Sequence, residues 1–452
     1  MANESRTSQR FHVSEATIYA PATAPGRAAL SIVRVSGSRT AQVLQSLTRQ
    51  SLPLARRATL CSLCDPGSSE QLDQALVLWF PAPGSATGED LAELHLHGGP
   101  AVLSAVLQVL GQQEGLRLAE PGEFARRAFA NGKLDLTQVE GLADLVAAET
   151  AGQRRQALAQ TEGALSAKLA DWRERLLLAS SRVEAAIDFA EEADVTEGLL
   201  EEAAASARSV LEEIETATAS AARGERLRQG LRCSLLGPPN AGKSSLINAL
   251  VGRDAAIVSE RPGTTRDLIE VALDLDGLPV TVTDGAGLNP ETDDVIEQEG
   301  MRRALASAET ADLVILLQDL SQSKAPRFQP QAGQVVLRVG NKRDLVSAVP
   351  DGLDLAVSVK TGEGVSAFLE LLAQRAKTLL EAEGAPALVT RARQAEALRE
   401  AALALSRCDA AALPELLAED LRLAIRALGK VAGTVDVEDL LDRVFRDFCI
   451  GK

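Results

Sequence analysis

Gly237-Pro-Pro-Asn-Ala-Gly-Lys-Ser-Ser245 is the stretch from which the rest of the chain can be read. It has the form G-x-x-x-x-G-K-S. Leu231 to Leu236 before it is a short apolar run that suits a buried strand, and Ser245 to Val251 behind it has the apolar face of a helix. Strand, glycine turn and helix in this order make an anion cradle. The glycines let backbone N–H groups wrap phosphate oxygens, and a helix N-terminus faces the charge. Asn240, Ala241, Gly242 and Ser245 belong to the cradle. Lys243 is placed to reach the β- and γ-phosphates, and the Ser244 hydroxyl to ligate Mg²⁺.

Three shorter motifs follow in order. Gly263-Thr-Thr-Arg-Asp267 offers hydroxyls from Thr264 and Thr265, with Thr265 the candidate second Mg²⁺ ligand, ordered by a γ-phosphate. Asp284-Gly-Ala-Gly287 ends the alternating strand Leu278 to Thr283 and fits D-x-x-G, with Asp284 near Mg²⁺ and the Gly287 N–H facing the γ-phosphate. Asn341-Lys-Arg-Asp344 follows the apolar strand Val335 to Val339. A carboxylate at Asp344 accepts both guanine N1–H and N2–H₂, which adenine does not offer. Asn341 and Lys342 flank it, and Ser358-Val-Lys360 closes over the base. Four motifs in this order, each at a strand end, point to a GTPase. An ATPase would leave Asp344 without a purpose.

A length of 452 residues suggests about three domains. No apolar run approaches the roughly twenty residues of a membrane span, and the first residues carry no signal-peptide pattern. The expectation is a cytoplasmic protein. The five cysteines are scattered, as in a reducing compartment, and the Cys61/Cys64 pair has no second pair to make a metal site. A net charge of −16 opposes strong non-specific nucleic-acid binding. Any such role needs a local patch or a basic partner. Acid gathers in Glu184 to Glu215. Basic residues gather at Arg223 to Arg232, Arg391 to Arg399 and Arg422 to Lys430.

Residues 16 to 120 alternate strands (Thr17 to Ala20, Ala29 to Val35, Gln74 to Phe80, Leu91 to His97) with helices (Ser38 to Leu47, and Gly98-Gly-Pro100 to about Leu110), a compact α/β pattern. His95 and His97 share a strand face and read as polar strand residues. From Asp135 to Ala190 the chain is nearly all helix-forming, with apolar residues at helical spacing (Leu165, Leu169, Trp172, Leu176, Val183, Ile187), and Leu199 to Ala222 is another long helix. A second helical block runs from Thr390 to Phe448. Two helical blocks flanking the nucleotide motifs imply a GTPase domain inserted into a helical domain. Leu440, Leu441, Val444, Phe445 and Phe448 should dock and hold the last residues, Cys449 and Lys452, in place.

Over nearly its whole length the chain resembles the bacterial and organellar tRNA wobble-uridine modification GTPases, the MnmE or TrmE family. The matching stretches are Pro25-Gly-Arg27 with Ile32-Val-Arg-Val-Ser-Gly37, Thr87-Gly-Glu-Asp90 with His97-Gly-Gly-Pro100, and Pro121-Gly-Glu-Phe124 with Asn131-Gly-Lys-Leu-Asp-Leu136. The phosphate loop with Asn240, the Gly-Thr-Thr-Arg-Asp segment and the terminal Cys449-Ile-Gly-Lys452 complete them.

The resemblance implies a multidomain α/β and all-α protein. Residues 1–130 would form a folate-binding, dimerising α/β domain and 131–225 the first part of a helical domain. Residues 226–382 would form an inserted Ras-like P-loop GTPase domain, and 383–452 the second helical part with its tail. The protein would be a homodimer working with a FAD-dependent protein of the MnmG/GidA type, and tRNA would be held largely through that partner. Together they would place an aminomethyl or carboxymethylaminomethyl group on C5 of the wobble uridine of certain tRNAs. The carbon would come from a tetrahydrofolate derivative (5-formyl- or 5,10-methylene-tetrahydrofolate). Arg34, Glu93, Lys133 and Lys452 match the family's folate contacts, and Cys449 its functional terminal thiol. Arg and Lys suit a folate's glutamate carboxylate, and Glu its pterin edge.

Leu288 stands where Ras-like proteins carry a water-orienting Gln. The resemblance supplies instead a K⁺ ion, held by Asn240 with oxygens of Ser259, Arg261 and Thr264, to stabilise charge at the β–γ bridge. Glu297 matches the family's water-orienting glutamate. Gly285 replaces the usual Thr, Val359 the usual Ala, and Ala28-Ala29 a Gly pair; none removes a charged or metal-binding group. The alternative is a ribosome-assembly or signalling GTPase of the Era/EngA type, without one-carbon chemistry. It calls for a basic RNA-binding domain after the GTPase, and a helical, acidic-to-neutral block stands there.

Overall fold

The computed structural model describes residues 16–189, 193–253, 255–257, 270–284, 295–322, 328–331, 334–380, 387–409, 413–435, 444–445, 448 and 450–451, with the side chains of 193–196 and 295–301 excepted. The chain divides into two compact units, Met1–Ala143 with Ser166–Ala170 and Leu428–Lys452, and Asp144–Leu165 with Asp171–Ala427.

In the first unit the described residues form a six-stranded sheet of β1 (Thr17–Pro21), β2 (Leu30–Ser36), β3 (Thr59–Cys64), β4 (Gln71–Phe80), β5 (Leu91–His97) and β6 (Leu116–Leu118). The order is β3-β4-β5-β2-β1-β6, antiparallel except for β1 with β6. Alternation in β5 buries Ala92, Leu94 and Leu96 and turns Glu93 and His95 to the other face. Helices α1 (Thr40–Thr48) and α2 (Pro100–Gly111) contribute Leu44, Leu47, Val106 and Leu110 to the core that β2 and β5 line. α2 begins on Pro100, whose missing N–H costs nothing there. β3 and β6 are additional to the strands read from sequence. On β3, Cys61 is buried and Cys64 half-buried, three residues apart and so on opposite faces. Among the described residues no His/Cys/Asp/Glu cluster can hold a metal.

Helix α3 (Glu123–Ala130) sets Phe124 against Ile18, Ala20 and Ala119. Ala125 of α3, with Leu136 and Val139 of α4 (Leu136–Ala147), packs against Phe445 and Phe448. The tail thus docks, as its apolar spacing predicts; Leu440 and Leu441 lie outside the described residues. Two glycines permit it. A Cβ on Gly122 would stand 2.6 Å from the Phe445 carbonyl, and one on Gly451 would stand 2.1 Å from the Pro21 carbonyl. Both residues also have positive φ.

In the second unit, α5 (Ala151–Thr161), α6 (Ala164–Asp188), α7 (Ala193–Ala219) and α8 (Ala221–Gln229) precede the nucleotide domain, and α12 (Ala392–Leu405) and α13 (Pro414–Ala432) follow it. The helical stretch from Asp135 is three helices, because a Thr150/Gln153 capping box restarts the chain at α5 and Gly163, with φ 86°, restarts it at α6. α6 is tied to α7 by Trp172 Nε1–H and Arg175, which donate to Glu213 at 3.1 and 2.6 Å.

Between these helices the described residues form a second six-stranded sheet: β7 (Leu231–Leu236), β8 (Glu270–Leu275), β9 (Leu278–Asp284), β10 (Leu313–Asp319), β11 (Val335–Asn341) and β12 (Leu355–Ala356). Its order is β12-β11-β10-β7-β9-β8, parallel except for β8. β10 is an unbroken apolar run from Leu313 to Leu317, as a strand covered on both faces requires. Helices α9 (Lys243–Val251) and α11 (Val365–Leu380) supply Ile247, Leu250, Phe368 and Leu372 to the core; α10 (Val295–Thr310) supplies Ala304 and Ala308 to a second one. The chain enters and leaves this domain at one place. A Cβ on Gly224 of α8 would stand 2.3 Å from the Val389 carbonyl, and Gln160 Nε2–H donates to the Leu388 carbonyl at 2.5 Å. This is an insertion into a helical domain. The β8–β9 turn is joined to the helices, since Gly152 N–H donates to the Gly277 carbonyl at 2.8 Å. Among the described residues no helix is long and apolar enough to cross a membrane.

Candidate nucleotide and one-carbon sites

The phosphate loop lies between β7 and α9, at the carboxyl end of the parallel strands, where open α/β sheets bind ligands. Asn240 and Gly242 have φ of 60° and 95°. A Cβ on Gly237 would stand 2.5 Å from the Leu317 carbonyl, and one on Gly242 would stand 2.3 Å from Asn341 Nδ2. Both glycines are therefore required by close packing. Lys243 Nζ–H donates to the Gly237 and Pro238 carbonyls at 3.2 and 3.3 Å, folding the ammonium back across its own loop. Burial holds the Lys243 amine below its ordinary range, opposed by the charge of Asp284. A phosphate beside it would favour the charged form further.

Ser244 Oγ–H donates to Asp284 Oδ2 at 2.9 Å. Asp284 Oδ1 is buried and has no hydrogen-bond partner among the described residues. A hydroxyl, a carboxylate and an orphaned carboxylate oxygen at the foot of a phosphate cradle are hard oxygen donors that suit Mg²⁺. Ala241 is fully buried, whereas Asn240 and Ser245 are exposed.

At the same carboxyl end of the sheet, Asn341, the last residue of β11, acts as a strut. Its Nδ2–H donates to the Ala241 carbonyl at 2.8 Å, and its Oδ1 accepts from Lys342 N–H at 2.7 Å and Val359 N–H at 3.2 Å. Phosphate loop, base loop and the Ser358 segment are thus held by one side chain. Asp344 Oδ1 accepts from Ser358 Oγ–H at 2.6 Å, and Lys360 is exposed beside them. Lys342 Nζ–H donates to the buried Asp319 at 2.5 Å, a partner the sequence motifs do not mark. Ser259, Arg261, Thr264, Thr265, Gly287, Cys449 and Lys452 lie outside the described residues, as does the side chain of Glu297, whose backbone lies in α10.

In the first unit Arg34 and Glu93 face each other across β2 and β5, with Arg34 Nε–H donating to Glu93 Oε1 at 2.9 Å. His95 Nε2 lies 3.3 Å from Glu93 Oε2. Lys133 is exposed and runs past the 85–90 loop, its Cε 3.3 Å from where a Cβ on Gly88 would lie, and Asn131 Nδ2–H donates to the Thr87 carbonyl at 2.7 Å. The structure brings Arg34 and Glu93 together and sets Lys133 on the loop beside Gly88. Under that loop lies a charge network absent from the motif reading. Arg127, 1% exposed, pairs with Glu89 and Glu123 at 3.0 Å each and donates to the Ala16 carbonyl at 2.8 Å. Glu123 also takes Arg117 through both oxygens at 2.6 and 2.7 Å. Burial would raise the Glu123 carboxyl, but hydrogen bonds from Arg117, the Glu120 N–H and Arg127 outweigh it and hold it below the usual range. The sequence carries no signal of this burial; only the fold brings Glu89 to Arg127.

The basic clusters seen in sequence are largely engaged within the second unit. Arg226 pairs with Asp312 at 2.8 Å, Arg228 donates to the Thr390 carbonyl at 3.1 Å, and Arg391 pairs with Asp144 at 2.7 Å.

Two family models match the chain: the MnmE helical domain over residues 136–449 and the N-terminus of GTP-binding protein TrmE over residues 17–133. The tRNA modification GTPase MnmE of Parvibaculum lavamentivorans is 51% identical over 440 residues, covering 96% of this chain and 100% of the relative. That of Methylobacterium sp. is 53% identical over 442 residues, covering 96% and 99%. Among solved structures, the G domain of the T. maritima FeoB iron transporter is 25% identical, covers 32% of this chain and 98% of its own, and has a TM-score of 0.24.

Proposed function

Because the chain belongs to the MnmE family of tRNA modification GTPases, we propose that it hydrolyses GTP to GDP and phosphate as one working part of a tRNA-modifying machine. The observation that carries this is the single sheet end where Lys243, Ser244 and Asp284 stand on the phosphate side and Asn341 and Asp344 on the base side. Lys243 binds the β- and γ-phosphates once it leaves its two carbonyls. Ser244 and Thr265, with Asp284 near them, would hold Mg²⁺, and the ion would supply positive charge opposite the phosphate oxygens. Gly287 donates its N–H to the γ-phosphate. Asp344, with Asn341 and Lys342 behind it and Ser358 and Lys360 over it, selects guanine.

The finer reading has four parts. Asn240, Ser259, Arg261 and Thr264 hold a K⁺ ion that takes the place of an arginine finger, and Glu297 orients the attacking water. Arg34, Glu93, Lys133 and Lys452 bind a tetrahydrofolate derivative, whose one-carbon unit goes to C5 of the wobble uridine; Cys449 acts nearby. The chain works as a cytoplasmic homodimer with a FAD-dependent partner that supplies most of the contact with tRNA, in keeping with a net charge of −16 and with arginines already paired. Its working domains are residues 1–130, 131–225, 226–382 and 383–452.

The test is GTP turnover by the full chain in K⁺ and in Na⁺, with Asn240→Ala and Glu297→Ala alongside. Fast turnover only in K⁺, lost in both variants, is the expected result. Equal turnover in the two salts overturns the K⁺ mechanism and leaves a GTPase that works by another device.

A further inference from the structure

Asp319 and Asn341 stand side by side at the carboxyl ends of β10 and β11, in parallel register. Asp319 is 1% exposed, and its carboxylate accepts from Ser321 close by in sequence and from Lys342 across the sheet. Oδ1 accepts from Ser321 N–H at 3.0 Å and Ser321 Oγ–H at 2.6 Å; Oδ2 accepts from Lys342 Nζ–H at 2.5 Å. Burial works against the charge on this carboxylate, but the Lys342 and Ser321 hydrogen bonds outweigh it and hold it below the usual carboxylate range.

Lys342 is not an ordinary surface lysine. Its φ is 66°, the left-handed region that disfavours residues with a Cβ. Such a conformation persists only where its surroundings over-determine it. Two bonds do so here: Lys342 N–H donates to Asn341 Oδ1, and its ammonium donates to Asp319. The left-handed step starts the 3₁₀ turn Arg343–Leu345, which carries Asp344. The turn is pinned on its other side where Arg343 N–H donates to the Val357 carbonyl at 3.0 Å.

We infer that Asp319 is a positioning residue for nucleotide recognition: by anchoring the Lys342 ammonium it fixes the left-handed backbone step that aims Asp344 at the guanine base. The inference rests on the reading of Asp344 as the guanine acceptor. Asp319 itself sits beneath the loop and need not touch the nucleotide. Its loss should therefore appear in nucleotide affinity and leave the chemistry at the phosphates unchanged.

The experiment measures GDP affinity by displacement of a fluorescent GDP analogue, and KM and kcat for GTP, on the full chain. The proteins are wild type, Asp319→Asn, Lys342→Ala, the double variant, Ser321→Ala and Asp344→Asn. Asp319→Asn keeps the size and the Ser321 contact and removes the charge. GDP affinity should fall about tenfold, as expected for one charge-assisted hydrogen bond. KM for GTP should rise with it and kcat stay within about twofold. The double variant should bind no more than about twofold more weakly than Lys342→Ala, since the lysine is the group through which Asp319 acts. Ser321→Ala should bind GDP as wild type does, and it isolates the turn even if Asp319→Asn folds poorly. Losses that add in the double variant, a tenfold loss in Ser321→Ala, or unchanged affinity in Asp319→Asn would each overturn the inference. Asp344→Asn separates the two layers: it should lose GDP binding whatever Asp319 does, and if it binds GDP normally, the guanine-site reading itself fails.

Discussion

Replacing Arg127 by alanine should destabilise the first unit by about 3–4 kcal/mol. Truncating one partner of a buried ion pair costs roughly 3–5 kcal/mol, because the remaining charge is left uncompensated. The structure narrows that range. Glu123 keeps Arg117 at 2.6 and 2.7 Å and the Glu120 N–H at 3.0 Å, so its charge stays matched. Among the described residues the Glu89 side chain keeps the Ser36 hydroxyl at 2.9 Å and no cation, and it carries most of the penalty. The Ala16 carbonyl loses a donor as well. Urea unfolding followed by tryptophan fluorescence isolates this unit. The chain has two tryptophans, Trp79 in the sheet core and Trp172 in the second unit. A Trp172→Phe background leaves Trp79 as the reporter. Adding Glu89→Gln to Arg127→Ala should restore part of the loss, since it removes the orphaned carboxylate. A destabilisation under about 1 kcal/mol, or a second substitution that deepens the loss, would refute the assignment of Arg127 as the cation that holds the 85–90 loop.

Acid provides a second check on the same network. The folded Glu123 carboxyl lies below its unfolded value of about 4.3, so its stabilisation is complete above that pH and is lost as pH falls through the folded value. The stability gap between wild type and Glu123→Gln, read at Trp79, should hold steady above about pH 5 and narrow below about pH 4; a gap unchanged to pH 3 would contradict it. In the phosphate loop, Gly242→Ala must fit a Cβ 2.3 Å from Asn341 Nδ2 at a φ of 95°. Strain and a broken Asn341 bond together predict about a hundredfold loss of GDP affinity or more, measured by fluorescent-nucleotide titration, with far-ultraviolet circular dichroism unchanged. Retention of GDP binding within about threefold of wild type would show that the loop relaxes freely.

The strand, glycine turn and helix around the phosphate loop were legible because they are a local object. A phosphate cradle is built from consecutive residues, and its glycines, lysine and serine carry their geometry in their own backbone preferences. Four of the six strands of the first unit were legible for the same reason: alternation in Leu91 to His97 is a property of neighbours in sequence, whereas β3 and the three-residue β6 are settled by pairing. The docking of the tail followed from apolar spacing, and Phe445 and Phe448 are buried as that spacing requires. What sequence could not supply was pairing between distant residues. Nothing in Leu313 to Asp319 announces that its last residue meets Lys342, twenty-three positions on, because that contact exists only once β10 and β11 lie parallel in register. Nothing in the sequence marks Arg127, whose partner Glu89 lies thirty-eight positions away and meets it only in the folded unit. The close approach of Gly451 to the Pro21 carbonyl likewise exists only in the fold. Basic residues gather in three runs of the sequence, and folding pairs Arg226 with Asp312 and Arg391 with Asp144. Local conformation and ligand-facing chemistry are encoded in short segments. The positions of partners for buried charge depend on chain crossings, and those were decided by the tertiary structure.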